Sequence, residues 1–128
     1  MPYDVRQWPA TIYPGEIDAE CPSAREAVDV LLGEMARFGV ALEGYQVKAL
    51  GKANGYLWQV NLKIVRLQVR ILFAPYNQKL VLFRIHKKGS PQEQQRAYAL
   101  AIKRKKEFED LEKAQEKKAK HGGNFPTH

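Results

Sequence analysis

The sequence predicts an α+β fold: a twisted antiparallel sheet of three to four strands, an N-terminal helix packed on one face, and a long C-terminal helix. Three observations carry this. Val65, Leu67, Val69, Ile71 and Phe73 alternate with Arg66, Gln68, Arg70 and Leu72, the period of a half-buried strand. Ala27, Val28, Leu31, Leu32, Met35 and Phe38 recur at helical spacing. From Pro91 to about Lys120 the residues are strong helix formers, and Pro91 suits a first turn.

The chain has 128 residues, the size of one domain, and 45% of them are hydrophobic, enough for a single core. Its formal charge of +7 favours a polyanionic partner: nucleic acid, a ribosome or an acidic protein. Cys21 is the one cysteine, so no disulfide framework forms within the chain and a reducing compartment fits. No apolar run approaches transmembrane length, and Met1-Pro2-Tyr3-Asp4 lacks the charged-then-apolar layout of a signal peptide. The expectation is a soluble cytoplasmic protein without a membrane partner.

Residues 1–22 read as an irregular segment punctuated by prolines, with a short edge strand at 10–13 and with Trp8, Ile12 and Tyr13 packed on the body. Ser23 and Glu26 have the spacing of a capping box, so a helix is expected over 23–38, ended by Gly39. Gly44, Gly51, Asn54 and Gly55 mark turns across 40–56. Strands follow at about 56–63, 65–74 and 79–86, the last two joined by a hairpin around Pro75–Asn77 and so antiparallel. The helix-covered face is expected to hold Trp58, Val60 and Leu62, with Val81, Phe83 and Ile85 sharing one face of the third strand. The opposite sheet face then collects Gln59, Asn61, Lys63, Arg66, Gln68, Arg70, Arg84 and His86. Residues 23–112 form the working domain on this reading. Residues 113–128 form a fraying basic helix end, stopped by Gly122-Gly123, and a disordered tail.

The chemistry therefore rests on cations carried by strands. His86, His121 and His128 are accompanied by no cysteine or carboxylate cluster at ligand spacing, so no metal site is expected. Lys52 beside Gly51 is no phosphate-binding loop, because the Gly-Lys-Ser/Thr ending is missing. No nucleotide fingerprint or Ser-His-Asp pattern occurs, and no small-molecule cofactor is implied. Arg66 and Arg70 lie four apart on one strand; Arg84 and His86 lie two apart on its neighbour, and Lys87 and Lys88 end it. Arginine supplies a planar, permanently charged fork for phosphate. A lysine among like charges has its own charged form disfavoured, so it serves as a base near neutral pH, and His86 suits the same work.

At these residues the sequence resembles the RelE/HigB superfamily of toxins from toxin–antitoxin systems, in particular its phage-derived branch. The motifs are Leu57-Trp58-Gln59-Val60-Asn61, Arg70-Ile71-Leu72-Phe73, Ile85-His86-Lys87-Lys88 and Ala101-Ile102-Lys103-Arg104, with Phe38-Gly39-Val40-Ala41-Leu42 like the family's helix end. Their order and spacing cover about residues 23–110. The resemblance implies a small RelE-like fold and metal-independent cleavage of messenger RNA on translating ribosomes, which inhibits translation. It also implies neutralisation by a helix-turn-helix antitoxin. Arg70 matches the phosphate-binding arginine, and Lys87 and Lys88 match the basic strand end. Asn61 stands where the family usually has arginine, Ile85 replaces a usual Phe, and Gly89-Ser90-Pro91 is a shortened link.

On this resemblance Arg70 and Arg84 serve the phosphate, and Lys87 or His86 does acid or base work. Lys63, Arg66 and Lys88 position RNA, and Tyr76 at a hairpin tip is free to stack on a base. The alternative is a non-catalytic module of the same fold that grips RNA, the ribosome or a host protein. Asn61 is its best support.

Overall fold

The structure is a computed structural model that describes the backbone of residues 3–124 and the side chains of residues 3–118. Strands β1 (Asp4–Gln7), β2 (Gln46–Ala49), β3 (Trp58–Ile64), β4 (Leu67–Tyr76) and β5 (Lys79–Lys87) form one sheet among the described residues. Helices α1 (Ile17–Glu20) and α2 (Arg25–Phe38) lie between β1 and β2, and α3 (Pro91–Asn124) follows β5. The α+β class stands. The sheet, however, has five strands in the order β1-β5-β4-β3-β2, and it is mixed, because β1 runs parallel to β5.

The two additional strands are its edges. Each has four residues, none of them fully buried, and only one valine, so neither carries the apolar alternation that reveals a strand in sequence. The edge strand expected at 10–13 is absent from the described residues. Ile12–Glu16 forms a helical turn instead, and Ile12 is fully buried, with Trp8 and Tyr13 packed against the cores as expected.

Helix α2 starts at Arg25, and the Ser23–Glu26 capping box does not form. Pro22–Ala24 makes a tight 3₁₀ turn, and Ala24 takes the cap position with no side-chain hydrogen bond. The reciprocal cap occurs at α3, where Ser90 N donates to Glu93 Oε1 at 3.2 Å and Glu93 N donates to Ser90 Oγ at 3.2 Å. Gly39 ends α2 at φ +63°, and a Cβ there would lie 2.5 Å from the Tyr3 ring, so both conformation and space require glycine. Helix α3 continues through Gly122 and Gly123 to Asn124. A glycine inside a helix costs about 1 kcal/mol, which weakens a helix without ending it. The expected disordered tail, 125–128, lies outside the described residues.

The strand expected to start at Val65 starts at Leu67. Val65 and Arg66 form the β3–β4 turn, Val65 being 86% exposed and Arg66 taking φ +62°. Then β5 carries a bulge: Leu72 pairs with Arg84 and Phe73 with Leu82, leaving Phe83 as the extra residue. The bulge interrupts the alternation. Leu80, Leu82 and Ile85 enter one core, while Val81 and Phe83 enter another.

The first core joins Val28, Leu31 and Met35 of α2 to Val60, Leu62, Val69, Ile71 and Phe73. The second lies on the other sheet face and joins Leu57, Leu72, Val81 and Phe83 to Ala97, Tyr98, Ala101 and Phe108 of α3. The face expected to be open and cationic is therefore covered by α3 over much of its area. The physical reason is Leu72 and Phe83, both essentially fully buried, each contributing about 1.5–3 kcal/mol once covered.

Candidate nucleic-acid interface

With α3 seated on that face, Lys63, Arg66, Arg84, His86, Lys87 and Lys88 line two adjoining depressions, and Arg70 lines neither. The first is open and lies where β3 turns into β4 and β5 runs out. It encloses about 400 Å³ and is lined by Lys63, Ile64, Arg66, Leu67, Gln68, Lys87 and Lys88. The β3–β4 hairpin places Lys63 opposite Gln68, and Lys88 N donates to Gln68 O at 2.9 Å, which brings the end of β5 alongside. Lys63, Arg66, Lys87 and Lys88 are all exposed, and none forms an ion pair among the described residues. By contrast, Arg6, Arg25, Lys79, Arg84, Arg104 and Lys105 each face a carboxylate. Four cations without an ion-pair partner around one cleft create a local positive potential that a phosphate chain relieves.

The second depression is deeper and smaller, about 220 Å³, between β5 and the first turns of α3. Its walls are Glu20, Arg84, His86, Lys87, Glu93, Arg96, Ala97 and Leu100, so Lys87 is common to both. Arg84, His86 and Lys87 are thus brought together as their strand-end positions suggested, but their states differ.

Arg84 is held internally. Its Nη1 lies 3.1 Å from Glu16 Oε1 and its Nη2 3.7 Å from Glu20 Oε1. Glu16 also accepts from Arg104 Nη1 at 2.7 Å and from Ile85 N at 3.0 Å. This carboxylate therefore ties the N-terminal segment, β5 and α3 together, and Arg84 is mainly part of that clamp.

His86 is 3% exposed. Its Nδ1 lies 3.2 Å from Lys87 O, a group that only accepts, so Nδ1 carries the proton and Nε2 keeps its lone pair. Nε2 is buried without a hydrogen-bond partner. Burial is the largest influence and pushes its pKa down; the positive charges of Arg84 and Arg70 push the same way, against the Lys87 carbonyl and Glu20. The ring is therefore neutral at pH 7.

Arg70 lies opposite Asn61 on one side and His86 on the other, on the α3 side of the sheet. It is half-buried, its Nη1 donates to Gln94 Oε1, and its Nε is buried without a partner. Asn61 donates to Gln46 Oε1 and Gln68 Oε1, both at 3.1 Å, so its amide organises neighbouring side chains and adds no charge. Arg66, expected on the strand beside Arg70, projects from the turn and belongs to the open cleft. Tyr76, expected to be free, is engaged: its ring meets Phe108 edge-on at 5.4 Å, and its hydroxyl lies 3.4 Å from Glu116.

Sequence reasoning missed Glu16, Glu20, Glu93, Gln94, Arg96 and Tyr98. The available signal was the apolar spacing of Ala97, Tyr98, Ala101 and Phe108, which turns that face of α3, and Gln94 one turn before Tyr98, toward the sheet. Among the described residues no group of three or more His, Cys, Asp or Glu is placed to hold a metal ion. No described helix is long and apolar enough to cross a membrane. Compared with protein families, with curated proteins and with solved structures, the chain finds no match.

Proposed function

We propose that this chain is a toxin of a type II toxin–antitoxin system, of the RelE/HigB type: a cytoplasmic endoribonuclease that cuts messenger RNA on translating ribosomes without a metal ion. The observation that supports it most is the open cleft, where Lys63, Arg66, Lys87 and Lys88 stand without carboxylate partners among the described residues. The four motifs that resemble the superfamily supply the reaction type, and a helix-turn-helix antitoxin is the partner that goes with it.

In this reading the RNA backbone follows the open cleft and the scissile phosphate sits by Lys87, the residue common to both depressions. The adjacent 2′-hydroxyl attacks that phosphate, a base takes its proton, and the 5′-oxygen leaves with a proton from an acid. Arg70 and Lys87 stabilise the charge that gathers on the phosphate oxygens. His86 Nε2 has the lone pair and neutral state a base needs, and the ring lines the deeper depression beside Lys87.

One observation favours the alternative, a non-catalytic module that binds RNA or the ribosome: α3 covers His86, and Glu16 and Glu20 neutralise Arg84. Controlled expression in bacteria separates the two. Growth arrest with truncated messenger RNA, abolished in Arg70→Ala and retained in Lys105→Ala, upholds the ribonuclease. Lys105 pairs with Glu109 at 3.0 Å on α3, so its removal controls for the loss of one cation. Equal loss in both variants refutes the assignment.

A further inference from the structure

We infer that Gln94 and Tyr98, on α3, are positioning residues for Arg70, acting through a directional chain of hydrogen bonds that ends at Gln59. The inference rests on the reading of Arg70 as the phosphate-facing arginine. Tyr98 OH donates to Gln59 Oε1 at 3.0 Å, and Gln94 Nε2 donates to Tyr98 OH at 2.9 Å. Gln94 Oε1 then accepts from Arg70 Nη1.

The polarity of this chain is fixed from its Arg70 end. A guanidinium can only donate, so the Gln94 oxygen faces Arg70 and its nitrogen faces Tyr98. The phenol oxygen accepts that N–H, and its own proton goes to the Gln59 oxygen. A reversed amide would set an NH₂ group against the guanidinium and lose both bonds.

Arg70 needs such a restraint. Its neighbours across the strand pair are the Asn61 amide and His86, and Arg84 lies on the same sheet face two residues before His86. Among the described residues no carboxylate lies within ion-pair distance of Arg70. Among the described residues the Gln94 oxygen is the side-chain acceptor that holds the guanidinium. The restraint is neutral, so it orients the fork without cancelling the charge that a phosphate would meet.

Two variants remove the restraint at different depths. Tyr98→Phe keeps the buried ring and deletes the hydroxyl; Gln94→Met removes the amide outside the apolar core. The direct readout is the rotation rate of the Arg70 guanidinium, measured by nitrogen-detected NMR of the arginine side chains. Both variants should accelerate it by about tenfold or more, the freedom expected when a fixed geometry becomes loose. Tyr98→Phe combined with Gln94→Glu should restore slow rotation, because a carboxylate accepts at either oxygen and needs no hydroxyl to orient it. Cleavage of ribosome-bound messenger RNA should fall by about tenfold to a hundredfold in Tyr98→Phe. It should fall no further when Tyr98→Phe is added to Arg70→Ala.

Unchanged guanidinium rotation in both single variants overturns the inference. So does an effect of Tyr98→Phe on cleavage that is undiminished in the Arg70→Ala background, since the hydroxyl would then act elsewhere. Rotation that quickens and is rescued, in a chain that cleaves no RNA, upholds the relay and overturns the ribonuclease reading instead.

Discussion

Replacing Glu16 by alanine tests the clamp that seats α3 and the N-terminal segment on the sheet. Glu16 Oε1 faces Arg84 Nη1 at 3.1 Å and accepts from Ile85 N at 3.0 Å; Oε2 faces Arg104 Nη1 at 2.7 Å. The side chains are 14% exposed for Glu16, 21% for Arg84 and 15% for Arg104, so water screens these pairs only in part. Removing one partner of a buried pair costs about 3–5 kcal/mol, because the remaining charge stays buried and uncompensated. Two arginines would be stranded here. Each has other acceptors, though: Arg84 donates to Ile85 O, Arg104 donates to Phe83 O, and Glu20 lies 3.7 Å from Arg84. The lower end, about 3 kcal/mol, is therefore the expected loss. Glu16→Gln should cost less, because an amide oxygen still accepts from Ile85 N. The assay is urea unfolding followed by circular dichroism, reading the shift in midpoint at constant slope. A loss below about 1 kcal/mol, the size of an exposed pair, would refute the clamp.

Binding of a single-stranded RNA oligonucleotide should weaken steeply with salt. Four neutralised phosphates on a single strand give a slope of roughly −3 in log K against log salt, and each of Lys63→Gln and Lys88→Gln should flatten it. A slope near zero would contradict a phosphate-binding cleft. Stability should also fall with acid through His86. Its folded pKa lies below the unfolded one, so the unfolded chain binds a proton first as the pH drops below about 6.5. The stability present at neutral pH is then lost progressively toward the folded pKa, and His86→Phe should remove that part of the decline. An unaltered decline in the variant would show that the imidazole is not the group responsible.

How much was legible depended on whether an element announces itself by period. Val28, Leu31 and Met35 marked α2, and Val69, Ile71 and Phe73 marked β4 and its buried face, because each stripe is continuous. Phe83 was not legible: a bulge adds one residue without changing composition, and it moved Val81 and Phe83 away from the core that receives Ile85. The four-residue edges β1 and β2 carry no apolar run, each having one valine, Val5 or Val47, packed on the core beside its backbone pairing. For the site, the cationic end of the hairpin was readable as residue types, and Lys63, Arg66, Lys87 and Lys88 do converge. The burial of His86 and Arg70 was not, because it follows from where α3 lies. Leu72 on the supposedly polar face was the clue, since an apolar side chain there calls for a cover.

The proposed ribonuclease carries RNA along the cationic cleft to a cut made by the RNA's own 2′-hydroxyl without a metal ion. The most direct measurement is the chemistry of the ends left when purified protein meets messenger RNA on translating ribosomes. Attack by the 2′-hydroxyl leaves a 2′,3′-cyclic phosphate on one fragment and a 5′-hydroxyl on the other, and that pair of ends is the predicted result. Fragments ending in 3′-hydroxyl and 5′-phosphate, or intact RNA at protein concentrations that saturate binding, would contradict it.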